Sequence, residues 1–204
     1  MEKTRKNSER LSGDKSMGKQ DFVFTSKIII NECALALEAV DCNKVEKYLR
    51  MLTEARKVFF VGVGRVLLSL EAIAKRYAHL GIETVVVGQI TEPAIGREDV
   101  LIVGSGSGET MYPAGIARKA KAIGAKVIHI GSNPNSGLRE IADLFVRIPV
   151  ESRAKAPDEI RSVQPMTSLF EQSLLLFGDA TAMMLIRDKG IELEKLWKFH
   201  ANLE

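Results

Sequence analysis

The stretch DVLIVGSGSGETMYPAGIARKAKAI, residues 99–123, changes character abruptly after Val103. A continuous apolar run ends there, and five small residues, Gly104 to Gly108, follow it. Short apolar runs of this kind are typical of strands that are buried on both faces, as the strands of parallel sheets are. The segment from about Thr110 to Ile123 is predicted to be a helix. The stretch therefore predicts a strand, a tight turn and a helix of a parallel α/β sheet.

The same alternation continues in both directions along the chain. KVFFVGVG (57–64) predicts a buried strand, and LSLEAIAKRYAHLG (68–81) predicts a helix that Gly81 can end. A short helix is expected near 137–142. Further strands are expected at ETVVVG (83–88), AKVIHIG (125–131) and DLFVRIPV (143–150). We predict an α/β fold, doubly wound and flavodoxin-like, with a parallel five-stranded sheet flanked by helices.

Helices are also predicted outside this alternation. Two precede the first strand, one from Asp21 to about Ala39 and one from about Lys44 to Ala55, and Asp41 and Asn43 are candidate caps of the second. A long apolar helix, about Ser168 to Arg187, follows the last strand after a polar connection, and LEKLWKFHANLE ends the sequence.

Composition and charge limit the class of protein. The 204 residues are 46% hydrophobic and 27% charged, which suits one globular domain, predicted to span residues 21–204. The net charge of +3 arises in residues 1–20, which hold six basic and three acidic residues and are expected to be a disordered polar tail. There is no concentrated basic face, no apolar run near the roughly 20 residues of a membrane helix, and no metal-ligand spacing among two cysteines and three histidines. We therefore expect a cytoplasmic protein without a metal and with neither nucleic acid nor membrane as a partner.

Two glycine-rich turns end predicted strands: GVGR (62–65) and GSGSGET (104–110). The carboxyl ends of parallel strands lie along one edge of the sheet, where such folds bind ligands. In the second turn, glycines permit a close backbone approach, Ser105, Ser107 and Thr110 supply hydroxyl groups, and the next helix offers unpaired N–H groups. Two interpretations stay open: a site for a phosphate monoester, or a tight turn in which Ser107 or Thr110 caps the helix.

Neither turn fits a nucleotide-binding pattern. No lysine follows the glycines of 104–110, as a P-loop requires. In GVGRVL, Leu67 stands at the third glycine position of a dinucleotide fingerprint, and the strand that ends VVVGQ has no acidic residue for a ribose. Hydroxyl groups without a lysine favour a small phosphorylated metabolite.

Several segments resemble the SIS (sugar isomerase) domain, and specifically the 6-phospho-3-hexuloisomerases. They extend from about Ala55 to the C-terminus and are VGVGR, KRYAHLG, GSGSGET, KAKAIGAKVIHIGSNPNS, QPMTSLFEQSLLLF and HANLE. The resemblance implies that 3-hexulose 6-phosphate and fructose 6-phosphate are interconverted, without a cofactor, in a homotetramer. The phosphosugar-binding residues that it implies are Gly64, Arg65, Ser105, Gly106, Ser107, Gly108 and Thr110.

Moving a carbonyl from C3 to C2 requires a base that takes a proton from C2 and delivers one to C3 through a cis-enediolate. Glu171 stands at the family's catalytic glutamate, although Ser168-Leu-Phe-Glu171 also fits a helix capping box. A second group must move protons between the oxygens, which suits histidine. The resemblance places His79 near the active site and implies that the tail docks at a subunit interface, so that His200 completes a neighbour's site. His129, within a predicted strand, is expected only to pack.

The chain departs from the family pattern around the predicted pocket. Val66 and Leu67 replace a serine and a glycine in the first turn, and Thr167 replaces a glycine ahead of the candidate base. Gln89 and Glu92 stand where the family has Glu and Thr. Two functions stay open: an isomerase of 3-hexulose 6-phosphate or of another sugar phosphate, and a non-catalytic or regulatory phosphosugar-binding protein.

Apolar residues outside the α/β core predict self-association. Surface of this kind is costly on a monomer, so a homo-oligomer is expected. The residues are Val23, Ile28, Ile29, Ile30, Leu35, Trp197 and Phe199.

Overall fold

Parallel strands form one sheet at the centre of the fold. The computed structural model describes residues 18–152 and 156–203. The strands are β1 Val58–Val61, β2 Thr84–Val86, β3 Val100–Gly104, β4 Lys126–Gly131 and β5 Leu144–Arg147. They pair in the order β2-β1-β3-β4-β5, and each pairing is parallel. This is the doubly wound, flavodoxin-like sheet that the sequence predicts, and its strand order reverses between β1 and β3.

Helices cover both faces of this sheet. They are α1 Lys19–Glu38, α2 Cys42–Glu54, α3 Gly64–His79, α4 Met111–Ile123, α5 Gly137–Ile141 and α6 Ser168–Asp188. A 3-10 helix, Leu193–Phe199, packs against α3 instead. Val58 and Phe60 of β1 face a core shared with α2, α3 and α6, whereas Phe59 and Val61 face a second core with α4 and α5. Successive strand residues point to opposite faces, and both faces are covered, so the strand is apolar throughout.

Close packing of α6 on α3 brings the starts of these two helices together. A Cβ added to Gly178 would lie 2.2 Å from the Ile73 side chain, so α3 can approach α6 only because this position has no side chain. At the other end of the contact, Ser69 Oγ donates to the Glu171 carbonyl at 2.9 Å. The first turns of α3 and α6 are therefore fixed relative to each other.

The boundary between β1 and α3 differs from the prediction. The strand expected at 57–64 ends at Val61, and α3 already begins at Gly64, because the glycine turn between them takes only residues 62 and 63. Asp41 caps α2 as predicted, accepting a hydrogen bond from Asn43 N at 2.9 Å. Asn43 itself lies inside the helix.

The described residues begin at the start of a helix, and the last long helix is strongly apolar. Residues 1–17 of the predicted tail lie outside the described residues, and Lys19 and Gln20, also assigned to the tail, begin α1. At the other end, α6 has the length and apolar composition of a membrane span, but 56% of its most apolar window is buried inside the fold. Leu174 and Leu185 of α6 belong to the first core, which explains the apolar composition.

Candidate active site

The two glycine-rich turns lie side by side at the carboxyl edge of the sheet. Turn 62–65 follows β1, and the Ser-Gly loop, residues 104–110, follows β3, which pairs with β1. The strand order reverses here, at the position where doubly wound sheets bind ligands. The start of α6 lies beside the Ser-Gly loop, since a Cβ added to Gly106 would lie 3.4 Å from the ring of Phe170, the neighbour of Glu171. The two turns and the first turn of α6 together border the crevice.

The Ser-Gly loop is held first at Ser105. Its carbonyl accepts hydrogen bonds from His129 Nε2 at 2.9 Å and from Gly108 N at 3.2 Å. Its hydroxyl accepts from Gly108 N at 3.1 Å and lies 3.1 Å from Thr110 Oγ1. Gly108 has a φ of +68°, and a Cβ there would lie 2.2 Å from Ser136 Oγ, so the tight turn requires glycine.

Asn133 holds the next two carbonyls of the loop. Its backbone N–H donates to the Gly106 carbonyl at 3.0 Å, and its Nδ2 donates to the Ser107 carbonyl at 3.1 Å. Ser132 N also donates to the Gly106 carbonyl, at 2.9 Å. Sequence reasoning did not single out Asn133, although it lies within KAKAIGAKVIHIGSNPNS, one of the segments that carry the resemblance.

These anchors determine where the backbone N–H groups of the loop point. In a trans peptide, a carbonyl and the N–H that follows it point in opposite directions. The carbonyls of Ser105 and Gly106 are bound by β4 and the turn after it, so the N–H groups of Gly106 and Ser107 point to the opposite side of the loop. Within residues 18–152 and 156–203, neither N–H donates a hydrogen bond. Adjacent free N–H groups ahead of a helix start can bind an anion.

The loop hydroxyls do not cap α4. Thr110 occupies the N-cap position, but its side chain makes no capping hydrogen bond. Ser107 Oγ accepts from Glu109 N at 3.3 Å, and among the described residues no hydrogen bond joins it to α4. Thr110 therefore takes the predicted N-cap position, but neither side chain makes the predicted capping hydrogen bond. Both hydroxyl groups can bind an anion on the loop, that of Thr110 beside Ser105 Oγ.

Glu171 presents its carboxylate at the first turn of α6. The residue is only 7% exposed. Arg65 Nε donates to its Oε2, and Thr167 Oγ1 donates to its Oε1 at 2.7 Å. The predicted capping box is wrong, because Thr167 is the N-cap residue and Ser168 is already helical. The carboxylate is therefore free of a helix-capping role and is oriented by two neighbours at the crevice.

His79 and His200 contact each other but lie far from Glu171 in the same chain. Their rings stack with centroids 5.1 Å apart, and the Trp197 ring lies 4.9 Å from His200. Arg65 stands in the first turn of α3 and His79 ends the helix. At about 1.5 Å per residue, 14 residues of helix separate them by about 21 Å. Within one chain, Arg65 and Glu171 lie beside the Ser-Gly loop, whereas the two histidines lie at the opposite end of α3.

His129 does more than pack. Burial, the largest effect, and Arg139 together lower the pKa of its imidazole to about 4, against the opposing effects of the hydrogen bond to Ser105 and of Glu109. The ring is therefore neutral near pH 7, and since a carbonyl only accepts, Nε2 carries the proton. Its ring also stacks on Phe145 at 4.9 Å. His129 therefore supports the Ser-Gly loop through its hydrogen bond to the Ser105 carbonyl.

The departures from the family pattern do not all face the crevice. A Cβ added to Gly104 would lie 2.8 Å from Val66 Cγ1, so Val66 covers the end of β3 between the two turns. Leu67 follows it, half-buried, in the first turn of α3. Glu92 instead folds back on the turn after β2, where its Oε2 accepts from Gly88 N at 2.6 Å.

The sequence matches a known domain family and several named enzymes. The SIS domain family model matches residues 51–183. The 3-hexulose-6-phosphate isomerase of Bacillus subtilis (strain 168) is 35% identical over 86% of this chain and 95% of its own length. The 3-hexulose-6-phosphate isomerase of Mycobacterium gastri is 36% identical over 90% of this chain and 92% of its own length.

A crystal structure with a similar fold points to the same enzyme family as the sequence relatives. A hypothetical protein of Methanococcus jannaschii, whose crystal structure infers a molecular function of 3-hexulose-6-phosphate isomerase, superposes with a TM-score of 0.76 at 29% identity, over 89% of this chain and 99% of that chain. The resemblance seen in the sequence is confirmed: the chain belongs to the SIS domain family.

Proposed function

We propose that this protein is an isomerase that interconverts 3-hexulose 6-phosphate and fructose 6-phosphate. The observation that carries the proposal is the buried carboxylate of Glu171, paired with Arg65 beside a loop in which the N–H groups of Gly106 and Ser107 donate to none of the described residues. Relatives named 3-hexulose-6-phosphate isomerase match 86% and 90% of this chain. A match over most of the chain supports the same class of substrate for this protein. A small phosphorylated sugar is the ligand.

Each part of the site has a chemical task in this reaction. The N–H groups of Gly106 and Ser107 and the hydroxyls of Ser107 and Thr110 hold the phosphate, with Gly64 and Gly108 shaping the two turns. The Glu171 carboxylate takes the C2 proton, the electron pair forms a cis-enediolate, and the same proton returns at C3. The Arg65 guanidinium stabilises the charge that develops on the enediolate oxygens. The carbonyl moves from C3 to C2 within one molecule, with no net oxidation or reduction, so the reaction consumes no cofactor.

The histidines enter this proposal through self-association. His79 and His200 form one cluster about 21 Å from Arg65 along α3, so the pair of a neighbouring chain is the one that moves protons between O2 and O3. A homotetramer in the cytoplasm is the state in which we expect the protein to act. Neither nucleic acid nor membrane is a proposed partner.

A coupled assay tests the function. Formation of fructose 6-phosphate from 3-hexulose 6-phosphate is followed without added cofactor, while the binding of several ketose and aldose phosphates is measured in parallel. We expect turnover of the 3-hexulose phosphate. Tight binding of a sugar phosphate without turnover of any would instead support a regulatory binding protein, and turnover of a different sugar phosphate would assign the pocket, with Val66 in its wall, to that sugar.

A further inference from the structure

A carboxylate on α1 binds the segment that leads into α6. Glu32 Oε2 accepts hydrogen bonds from Ser162 Oγ at 2.6 Å and from Gln164 Nε2 at 2.9 Å, and Oε1 accepts from Val163 N at 2.9 Å. Three consecutive residues are thus bound by one side chain that lies 130 or more positions earlier in the chain. These three hydrogen bonds lower the pKa of Glu32 although burial raises it, so the carboxylate is ionised near neutral pH.

The residue next to Glu32 makes a second contact with the same region. Cys33 is buried, and its Sγ donates to Gln172 Oε1 at 3.5 Å. Gln172 follows Glu171 on α6. Helix α1 therefore contacts residues 162–164, before α6 begins, and Gln172, in the first turns of α6. In the sequence these contacts lie on both sides of Glu171.

The segment between these contacts has an unfavourable backbone conformation. Met166 has a φ of +55°, in the left-handed region that residues with a side chain rarely adopt. Its side chain is 96% exposed, so packing does not hold this conformation. The restraint comes from hydrogen bonds on either side: Glu32 binds residues 162–164, and Ser168 N donates to the Pro165 carbonyl at 3.3 Å.

We infer that Glu32 is a positioning residue for the active site: by binding residues 162–164, it fixes the path of the chain into α6 and so the placement of Thr167 and Glu171. The inference rests on the proposed function, because it takes Glu171 as the base. It makes α1 part of the catalytic architecture, although the family model begins only at residue 51. A displacement of about 1 Å at a reacting group can reduce a rate by up to about a hundredfold.

Substitution of Glu32 tests this role. Glu32→Gln keeps the size of the side chain but removes its charge and places an amide NH₂ among three hydrogen-bond donors. We expect kcat for fructose 6-phosphate formation to fall about tenfold, whereas KM changes less than about twofold because the Ser-Gly loop is untouched. Glu38→Gln, at an exposed position on the same helix, is the matched control and should retain the wild-type kcat.

Amide hydrogen exchange measures how firmly residues 162–170 are held, independently of catalysis. In Glu32→Gln, peptides covering 162–170 should exchange faster, while peptides of β3 and β4 keep their wild-type rates. If Glu32→Gln does not fold, Gln164→Ala removes one of the three hydrogen bonds from the other side, and its kcat should fall about threefold with KM unchanged.

The outcomes separate the two claims. A wild-type protein that does not turn over 3-hexulose 6-phosphate would overturn the proposed function, and exchange of peptides 162–170 would still test the hold of Glu32 on the segment. An active wild type whose kcat is unchanged by Glu32→Gln, or by Gln164→Ala if that variant alone folds, would overturn the positioning role. Faster exchange throughout β3 and β4, with kcat and KM altered together, would show a general loss of stability and would overturn it as well.

Discussion

At the scale of single residues, Ser107 offers both a backbone N–H and a hydroxyl to an anion. A hydrogen bond to a charged group contributes about 1.5–3 kcal/mol, so Ser107→Ala should weaken fructose 6-phosphate binding roughly ten- to a hundredfold. Isothermal titration calorimetry measures the change, and Ser26→Ala on α1, whose hydroxyl donates to the Val23 carbonyl of its own helix, is the control. An unaltered dissociation constant would remove Ser107 from the phosphate site.

His129 makes the folded state sensitive to acid. The unfolded chain takes up this proton below about pH 6.5, whereas the folded protein excludes it until about pH 4. Its stabilising contribution is therefore complete above pH 6.5 and is lost as the pH falls toward 4, amounting to about 2–3 kcal/mol of unfolding free energy between pH 7 and pH 4.5. Arg139 and Glu109 face the ring with opposite effects, and neither cancels the effect of burial.

Urea unfolding at a series of pH values measures this loss. His129→Gln has no group that titrates in this range and keeps an amide donor for the Ser105 carbonyl, so the variant should lose about 2–3 kcal/mol less than wild type between pH 7 and pH 4.5. Parallel stability curves for the two proteins would contradict the assignment.

At the scale of elements, the first turn of α3 forms one wall of the crevice. Val66 covers Gly104 at the end of β3, and Leu67 adds volume beside it. Val66→Ser with Leu67→Gly should lower the unfolding free energy by about 2 kcal/mol, because glycine in a helix costs about 1 kcal/mol and apolar contacts are lost. It should also raise kcat/KM for 3-hexulose 6-phosphate relative to other ketose and aldose phosphates. Unaltered ratios across the panel would show that the two positions do not shape the pocket.

The elements themselves were largely predictable from the sequence. Apolar runs that end in glycine gave β1 and β3, because a strand covered on both faces has no polar side. The start of α3 was predicted four residues late, since the first helical residues follow a glycine and resemble a turn. The contact of Glu32 with residues 162–164 was not predictable, because no local pattern relates positions 130 residues apart.

At the scale of the whole molecule, exposed apolar side chains on α1 indicate self-association. Phe22, Phe24 and Ile30 are 74%, 67% and 64% exposed, and Trp197 in the tail is 71% exposed. Such surface is costly on a monomer. We expect light scattering to give a mass near four times the 22.5 kDa of one chain. A monomer at micromolar concentration would contradict both the tetramer and the supply of His79 and His200 by a neighbouring chain.

The site was predicted less completely than the fold. The resemblance indicated Glu171, Arg65 and the Ser-Gly loop, and these lie at one crevice because parallel strands place their following turns along one edge. It also indicated His79, but a position in sequence does not specify a distance, and His79 stands at the far end of the helix that begins beside Arg65. Asn133 lies within one of the segments that carry the resemblance, but its support of the loop is recognisable only from its hydrogen bonds.

Glu171 is proposed to carry the proton from C2 to C3, and a variant that keeps its shape but not its basicity separates this role from a structural one. Glutamine is nearly isosteric and can still accept a hydrogen bond from Thr167 or Arg65, but it cannot take a proton from C2. Glu171→Gln should therefore unfold at close to the wild-type temperature, bind fructose 6-phosphate, and show a kcat lower by on the order of a hundredfold or more. Wild-type turnover by a correctly folded Glu171→Gln protein would contradict the account.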